Sequence, residues 1–148
     1  MTQPFTYILR VRYAECDAQK VVFNGRYVEF MDTAMVEFLR EVWGGYNAIL
    51  DEGIDSQVVH LSLDWKAPAR FDDVVEIRVS PGKIGTTSYT LLMDMYNHST
   101  DRHLVSAKIV YVMVSADSFE KMAIPEEMRE QLSSGASGII VDHSGGAG

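Results

Sequence analysis

Apolar and polar residues alternate from the start of the chain. Phe5, Tyr7, Leu9, Val11 and Tyr13 are interleaved with Thr6, Arg10 and Arg12, the period-two pattern of a β-strand, blurred only by Ile8. The period then changes. Tyr27, Phe30, Met31, Ala34, Met35, Phe38, Leu39 and Val42 recur at i, i+3, i+4 and i+7, which predicts one long helix with a wide, aromatic-rich stripe. Asn24 stands where an N-cap belongs, Gly25-Arg26-Tyr27 open the helix, and Gly44-Gly45 close it. Residues 46–53 add a helical turn.

From Val58 onward the alternation returns in four segments. Val59, Leu61, Leu63 and Trp65 alternate with His60, Ser62 and Asp64, and Val75, Ile77 and Val79 alternate with Glu76, Arg78 and Ser80. Gly82-Lys83-Ile84-Gly85 reads as a hairpin turn into Tyr89, Leu91, Met93 and Met95. Residues 97–101 turn back into the run His103 to Ser115. Connections this short cannot make parallel crossovers, so the sheet is expected to be largely antiparallel. Pro125 ahead of Glu126 and Glu127 starts a short helix reaching about Leu132. Five of the eleven glycines lie in residues 133–148, so that tail is expected to be disordered or loosely docked, leaving residues 1–132 as a single domain.

One buried helix and five strands give an α+β fold in which a curved antiparallel sheet wraps the helix. A lone helix leaves an edge strand and part of the sheet uncovered, and pairing with a second copy would cover both. Composition narrows the partners. The net charge of −8, with thirteen scattered Lys and Arg, provides no basic stripe for nucleic acid. Cys16 is the only cysteine, so no intrachain disulfide forms. The N-terminal residues lack a signal-peptide pattern, and no apolar run reaches membrane-spanning length, so a cytoplasmic, soluble protein without membrane contact is expected.

The chemistry concentrates in Tyr13 to Tyr27, YAECDAQKVVFNGRY. One carboxylate, Asp17, precedes an apolar run and then the helix start. Free N–H groups and a positive dipole end there suit an oxyanion. A carboxylate and an oxyanion site are the minimum parts for attack on a carbonyl. Against this stands the ordinary use of an Asp to cap a turn in a polar loop. Cys16, next to Asp17 and without a nearby His, reads as a buried inert thiol. No nucleophile elbow, P-loop, dinucleotide fingerprint or metal-ligand spacing is present in the sequence.

With these residues in place, the chain resembles the hotdog-fold acyl-CoA thioesterases of the 4-hydroxybenzoyl-CoA thioesterase family over roughly Phe5 to Pro125. Tyr13 to Ala34 carries the resemblance through Asp17, Asn24 seven residues on, and Tyr27. Asp64 to Asp73, DWKAPARFDD, adds a weaker match. The resemblance implies a hotdog fold, a dimer or dimer of dimers, and sites at the subunit interface. It also implies hydrolysis of an acyl-CoA without metal or redox cofactor, coenzyme A being part of the substrate. Asp17 would be the catalytic carboxylate, and the backbone at Asn24 and Gly25 the oxyanion site.

Val22 and Tyr27 would shape the pocket. His60 could line the partner's acyl pocket or be a surface histidine. Thr86 and Ser88 fall after the Gly85 turn, a region that contacts ligand or the catalytic loop in similar proteins, or serve local hydrogen bonding. Lys66, Arg70, Lys83 and Arg102 are candidate phosphate contacts, each also readable as a solvated charge. The chain departs from the family pattern at Gln19-Lys20, where glycines are common, and at Asn24, where His or Tyr is frequent. Two other readings stay open. A hydratase or dehydratase normally needs a His near the helix start, and a non-catalytic acyl-CoA or acyl-carrier binding module would have kept the fold and lost turnover.

Overall fold

The computed structural model describes residues 3–146, so expectations touching the first two and last two residues lie outside it. Strand β1 (Phe5–Arg10) leads through a 3-10 turn (Tyr13–Glu15) and a tight loop into α1 (Arg26–Trp43). A short α2 (Tyr46–Asp51) precedes β2 (Ile54–Trp65), β3 (Val74–Ile84), β4 (Ser88–Asn97) and β5 (His103–Ser115); α3 (Glu126–Ser134) and β6 (Ile140–Asp142) follow. The sheet order is β2-β5-β4-β3-β1-β6, antiparallel everywhere except where β6 runs parallel to β1.

The helical stripe read from the sequence is the stripe that is buried. Tyr27, Phe30, Met31, Ala34, Phe38, Leu39 and Val42 pack on the inner face of the sheet, against Val79, Leu91, Met93 and Ile109 among others. Gly44 ends α1 in the left-handed conformation (φ 82°), where a side chain would be strained. The Trp43 indole N–H donates to the Met128 carbonyl (3.0 Å) and ties α1 to α3. Below them Tyr89 and Tyr111 stack with centroids 5.1 Å apart, and the Tyr89 hydroxyl donates to Ser56 Oγ (2.8 Å).

Several local expectations are corrected. The sheet has six strands rather than five. β1 stops at Arg10, and Tyr13 lies in the turn, 82% exposed. β2 starts at Ile54 and carries a bulge between Val58 and His60. Gly82 and Lys83 continue β3 through a bulge, and the turn falls at residues 85–87, where the Gly85 N–H donates to the Ser88 carbonyl (2.7 Å).

The tail is not wholly disordered. The Thr6 N–H donates to the Ile139 carbonyl and the His143 N–H to the Ile8 carbonyl. The Arg10 guanidinium donates to the Ser144 carbonyl (3.0 Å) and the Gly146 carbonyl (2.6 Å). The glycine-rich composition concealed this anchor because its hydrogen bonds are made by backbone groups.

Asp142 makes the tail's docking dependent on pH. Its carboxylate accepts from the Ser144 hydroxyl (2.6 Å) and N–H (2.8 Å), and these bonds hold its pKa below the ordinary 3.8. A carboxylate whose pKa is depressed on docking contributes fully above its undocked value, and the contribution disappears as pH falls through the docked value. Exchange protection of the His143 amide is therefore expected to fall below pH 3.8 while core amides such as that of Met93 stay protected. Asp142→Asn is expected to loosen the tail already at neutral pH, and unchanged His143 protection would refute this.

Candidate active site

Three elements converge where β1 hands over to α1. Glu15 is buried at 5% exposure, and its carboxylate accepts from the Arg12 backbone N–H (2.7 Å) and the Arg12 guanidinium (3.0 Å). The Glu15 carbonyl accepts the Phe23 N–H (2.9 Å), Cys16 pairs antiparallel with Val22, and the Asp17 N–H donates to the Val21 carbonyl (2.9 Å). Residues 15–23 thus form a small hairpin whose base is fixed to the helix start. One extended residue, Cys16, separates Glu15 from Asp17, which places the Asp17 backbone roughly 7 Å along the hairpin from its base.

At the hairpin tip, the Lys20 N–H donates to the Asp17 carbonyl (2.9 Å) and the Gln19 N–H to Asp17 Oδ1 (2.8 Å). Asp17 therefore performs the turn-capping job, and its other carboxylate oxygen makes no hydrogen bond among the described residues. Lys20 adopts φ 66°, a conformation in which glycine would be relaxed. This is where the chain departs from the glycine-rich family pattern. The side chain of Asp17 is half-buried.

The helix start is arranged differently from the sequence expectation. Gly25, not Asn24, occupies the N-cap position, and no side chain caps the helix. The Arg26 N–H that an Asn24 cap would have taken goes instead to the Phe23 carbonyl (2.9 Å). Asn24 is exposed, and the N–H groups of Asn24 and Gly25 donate to nothing among the described residues. The Phe23 ring lies 3.1 Å from where a Cβ on residue 25 would sit, so a side chain there would push that exposed ring aside by a few tenths of an ångström. Two unused amides at the positive end of α1 are therefore presented to any ligand that reaches them.

Two hollows flank this hairpin. A groove of about 430 Å³ is lined by Val22, Asn24, Tyr27, Trp65, Lys66 and Pro68. A second hollow, of about 480 Å³, is lined by Tyr13, Cys16, Asp17, Lys20 and Phe71. The Val22 N–H donates to the Ala69 carbonyl (2.9 Å) and the Ala69 N–H to the Tyr27 hydroxyl (3.1 Å), so the segment after β2 is stitched to the groove wall. Burial raises the Tyr27 pKa, and among the lesser causes the charge of Asp17 also reaches the phenol. The Cys16 thiol is only half-buried, but burial and then the charges of Glu15 and Asp17 push its pKa up, which keeps it protonated.

The remaining expected residues are not all gathered here. Lys66 lies on the groove, and Arg70 is close by through the bridge from Val21 to Arg70. His60 is exposed midway along β2. Lys83, Thr86 and Ser88 lie at the opposite end of the sheet. Ser88 pairs with Val112 of β5, whereas Trp65 pairs with Val105, seven positions and roughly 23 Å away. Within one chain they do not reach Asp17.

Sequence reasoning missed Trp65 as a groove residue and Tyr13, Phe71 and Lys20 as lining the hollow. Trp65 was absorbed into a strand pattern, and nothing in the pattern signals that the strand's inner face lies uncovered. Arg12 and Arg26 are paired with Glu15 and Glu29. Lys20, Lys66 and Arg70 have no carboxylate within ion-pair distance among the described residues, so their charges are uncommitted, although Asp17, Asp64 and Asp73 lie in the same segments.

The model of the thioesterase-like superfamily matches residues 11–132. A putative esterase of Aquifex aeolicus is 27% identical over 129 residues, spanning 87% of this chain and 98% of the relative. The acyl-CoA thioester hydrolase YbgC of Escherichia coli is 28% identical over 127 residues, spanning 86% and 94%. Among solved structures, a gentisyl-coenzyme A thioesterase superposes with a TM-score of 0.76 at 26% identity, covering 86% of this chain and 98% of the other.

Proposed function

The chain belongs to the thioesterase-like superfamily, and from that premise we propose that it hydrolyses an acyl-CoA to a carboxylate and free coenzyme A. The observation that carries this reading is the juxtaposition at the first turn of α1. A hairpin bearing a carboxylate with one uncommitted oxygen is hydrogen-bonded, through Glu15 and Phe23, to a helix start whose leading amides are unused. The similarity to hydrolases of acyl-CoA thioesters supplies the substrate class.

In this reading the thioester lies in the groove with its carbonyl oxygen on the N–H groups of Asn24 and Gly25. Asp17 either draws a proton from an attacking water or attacks the carbonyl carbon itself. Both routes pass through a tetrahedral oxyanion, and both end with the thiolate of coenzyme A leaving. Lys20, Lys66 and Arg70 meet the phosphates, and only protein groups and water take part. Val22 and Tyr27 shape the acyl end. His60, Lys83, Thr86 and Ser88 enter from a second copy paired along β2.

A hydratase reading is disfavoured by the histidines. Within one chain His60, His98, His103 and His143 line neither hollow beside Asp17, so no imidazole of the same chain is placed to pair with it, and His60 of a second copy would be the one candidate. The test is thiol release from short, medium, long and aromatic acyl-CoAs. Release from at least one class is expected. Tight binding of every class without release would favour a binding module, and hydration of an enoyl-CoA would favour the hydratase.

A further inference from the structure

We propose that the Tyr27 phenol is a catalytic hydrogen-bond donor, giving the thioester oxyanion a third donor beside the amides of Asn24 and Gly25. The assignment rests on the hydrolase reading above and adds to it a group that acts at the reacting atom.

Tyr27 is 2% exposed, lines the groove together with Asn24 and Val22, and belongs to the first turn of α1. Its oxygen accepts the Ala69 N–H at 3.1 Å. A phenol O–H stays close to the ring plane, so its oxygen has two in-plane directions, one for the hydrogen and one for an incoming donor. The Ala69 amide occupies one, which sends the O–H along the other. Among the described residues nothing accepts that O–H. A buried donor without an acceptor calls for a partner, and the groove is the space it lines.

The ring is held in place. It packs edge-on against Phe30 at 5.9 Å and Trp65 at 6.4 Å, and Ala69 is itself tied to Val22. The donor is therefore preorganised and needs no rearrangement when charge develops. Burial raises the phenol above its ordinary value of 10.0, the Ala69 hydrogen bond opposes part of that rise and the charges of Asp17 and Asp73 add to it, so it keeps its proton across the neutral range. In the step itself, an oxygen nucleophile bonds to the carbonyl carbon and the C=O pair moves onto oxygen. The phenol shares its proton with that oxygen without surrendering it. When the pair returns, the C–S bond breaks and coenzyme A leaves as the thiolate.

The test compares wild type, Tyr27→Phe and a full-length protein carrying 3,5-difluorotyrosine at position 27, on the acyl-CoA that wild type hydrolyses best. Tyr27→Phe is expected to lower kcat about 10²-fold while KM stays within about threefold. The difluoro variant keeps the ring and the Ala69 contact but ionises more easily. It is expected to be active at low pH and to lose kcat along a new alkaline limb as the donor becomes phenolate. A folded Tyr27→Phe with kcat near wild type, or a difluoro variant without the new limb, overturns the assignment. If Tyr27→Phe does not fold, the difluoro pH profile alone decides. A wild type that releases no thiol from any acyl-CoA withdraws the hydrolase reading and this assignment together.

Discussion

Asp17→Asn is expected to reduce kcat/KM for thioester hydrolysis by about 10³-fold with little loss of stability. The two halves of that expectation come from the two oxygens of the side chain. Oδ1 accepts the Gln19 N–H at 2.8 Å and closes the hairpin tip, and an amide oxygen can accept the same bond. The second oxygen makes no hydrogen bond within the described residues. Replacing it with NH₂ removes the only function proposed for it, as base or nucleophile. The hairpin ladder, from the Phe23 N–H on Glu15 to the Asp17 N–H on Val21, is made by backbone and is indifferent to the change.

The measurement is steady-state thiol release beside thermal unfolding. Loss of activity with an unchanged Tm supports a chemical role. Equal loss of both would reduce Asp17 to a turn former. Full activity in a folded Asp17→Asn would remove the carboxylate from the mechanism.

The parts of this arrangement that could be read from the sequence are those encoded by periodicity. The α1 stripe and the alternation in β3, β4 and β5 each follow from burying one face, and each is visible residue by residue. What escaped was set by backbone hydrogen bonding. Asn24 has the right chemistry for a cap, but the Phe23 carbonyl competes for the same Arg26 N–H and wins. The bulges at Val58/His60 and Pro81/Ile84 shift faces without any residue type announcing them. The parallel pairing of Ile140–Asp142 with β1 depends on carbonyls held by Arg10, more than a hundred residues away.

The candidate site divides along the same line. Asp17, Asn24, Gly25, Val22 and Tyr27 fall within one short stretch, and local hydrogen bonds bring them together. The aromatic residues around them were not legible. Tyr13 and Phe71 come from segments far apart in sequence and meet edge-on at 6.0 Å only because the Asp72 N–H donates to the Val11 carbonyl and the Val11 N–H to the Asp73 carbonyl. Lys83, Thr86 and Ser88 belong to the far end of the sheet, and the proposed contact with Asp17 would require a second chain.

That requirement leads to the second large effect. For the dimer proposed above, paired along β2, Val58→Lys combined with Leu61→Lys is expected to leave monomers of 16.6 kDa and to lower kcat/KM by on the order of 10²-fold or more. β2 is the outermost strand, hydrogen-bonded to β5 on one side only, and its other edge offers ladder groups along twelve residues. Its apolar side chains are uncovered: Val58 is 52% exposed, Val59 59%, Leu61 36% and Trp65 54%. Val58 and Leu61 pair with Tyr111 and Ile109, whose side chains face the core, so both lie on the inner face beside α1, where a partner's helix would pack. The opposite edge of the sheet is β6, only three residues long, so β2 offers the longer edge for self-pairing.

A two-fold axis through β2 would set the Ile54 end of one strand against the Trp65 end of the other. That operation carries Lys83, Thr86 and Ser88 of one copy toward the Asp17 hairpin of its partner, which no motion within a chain achieves. The substituted residues are exposed in the single chain, so the fold should survive and the oligomer should not. Sedimentation and thiol release on the same preparation decide the matter. Monomers with full activity would show that each chain holds a complete site, and an intact oligomer would show that association uses another face.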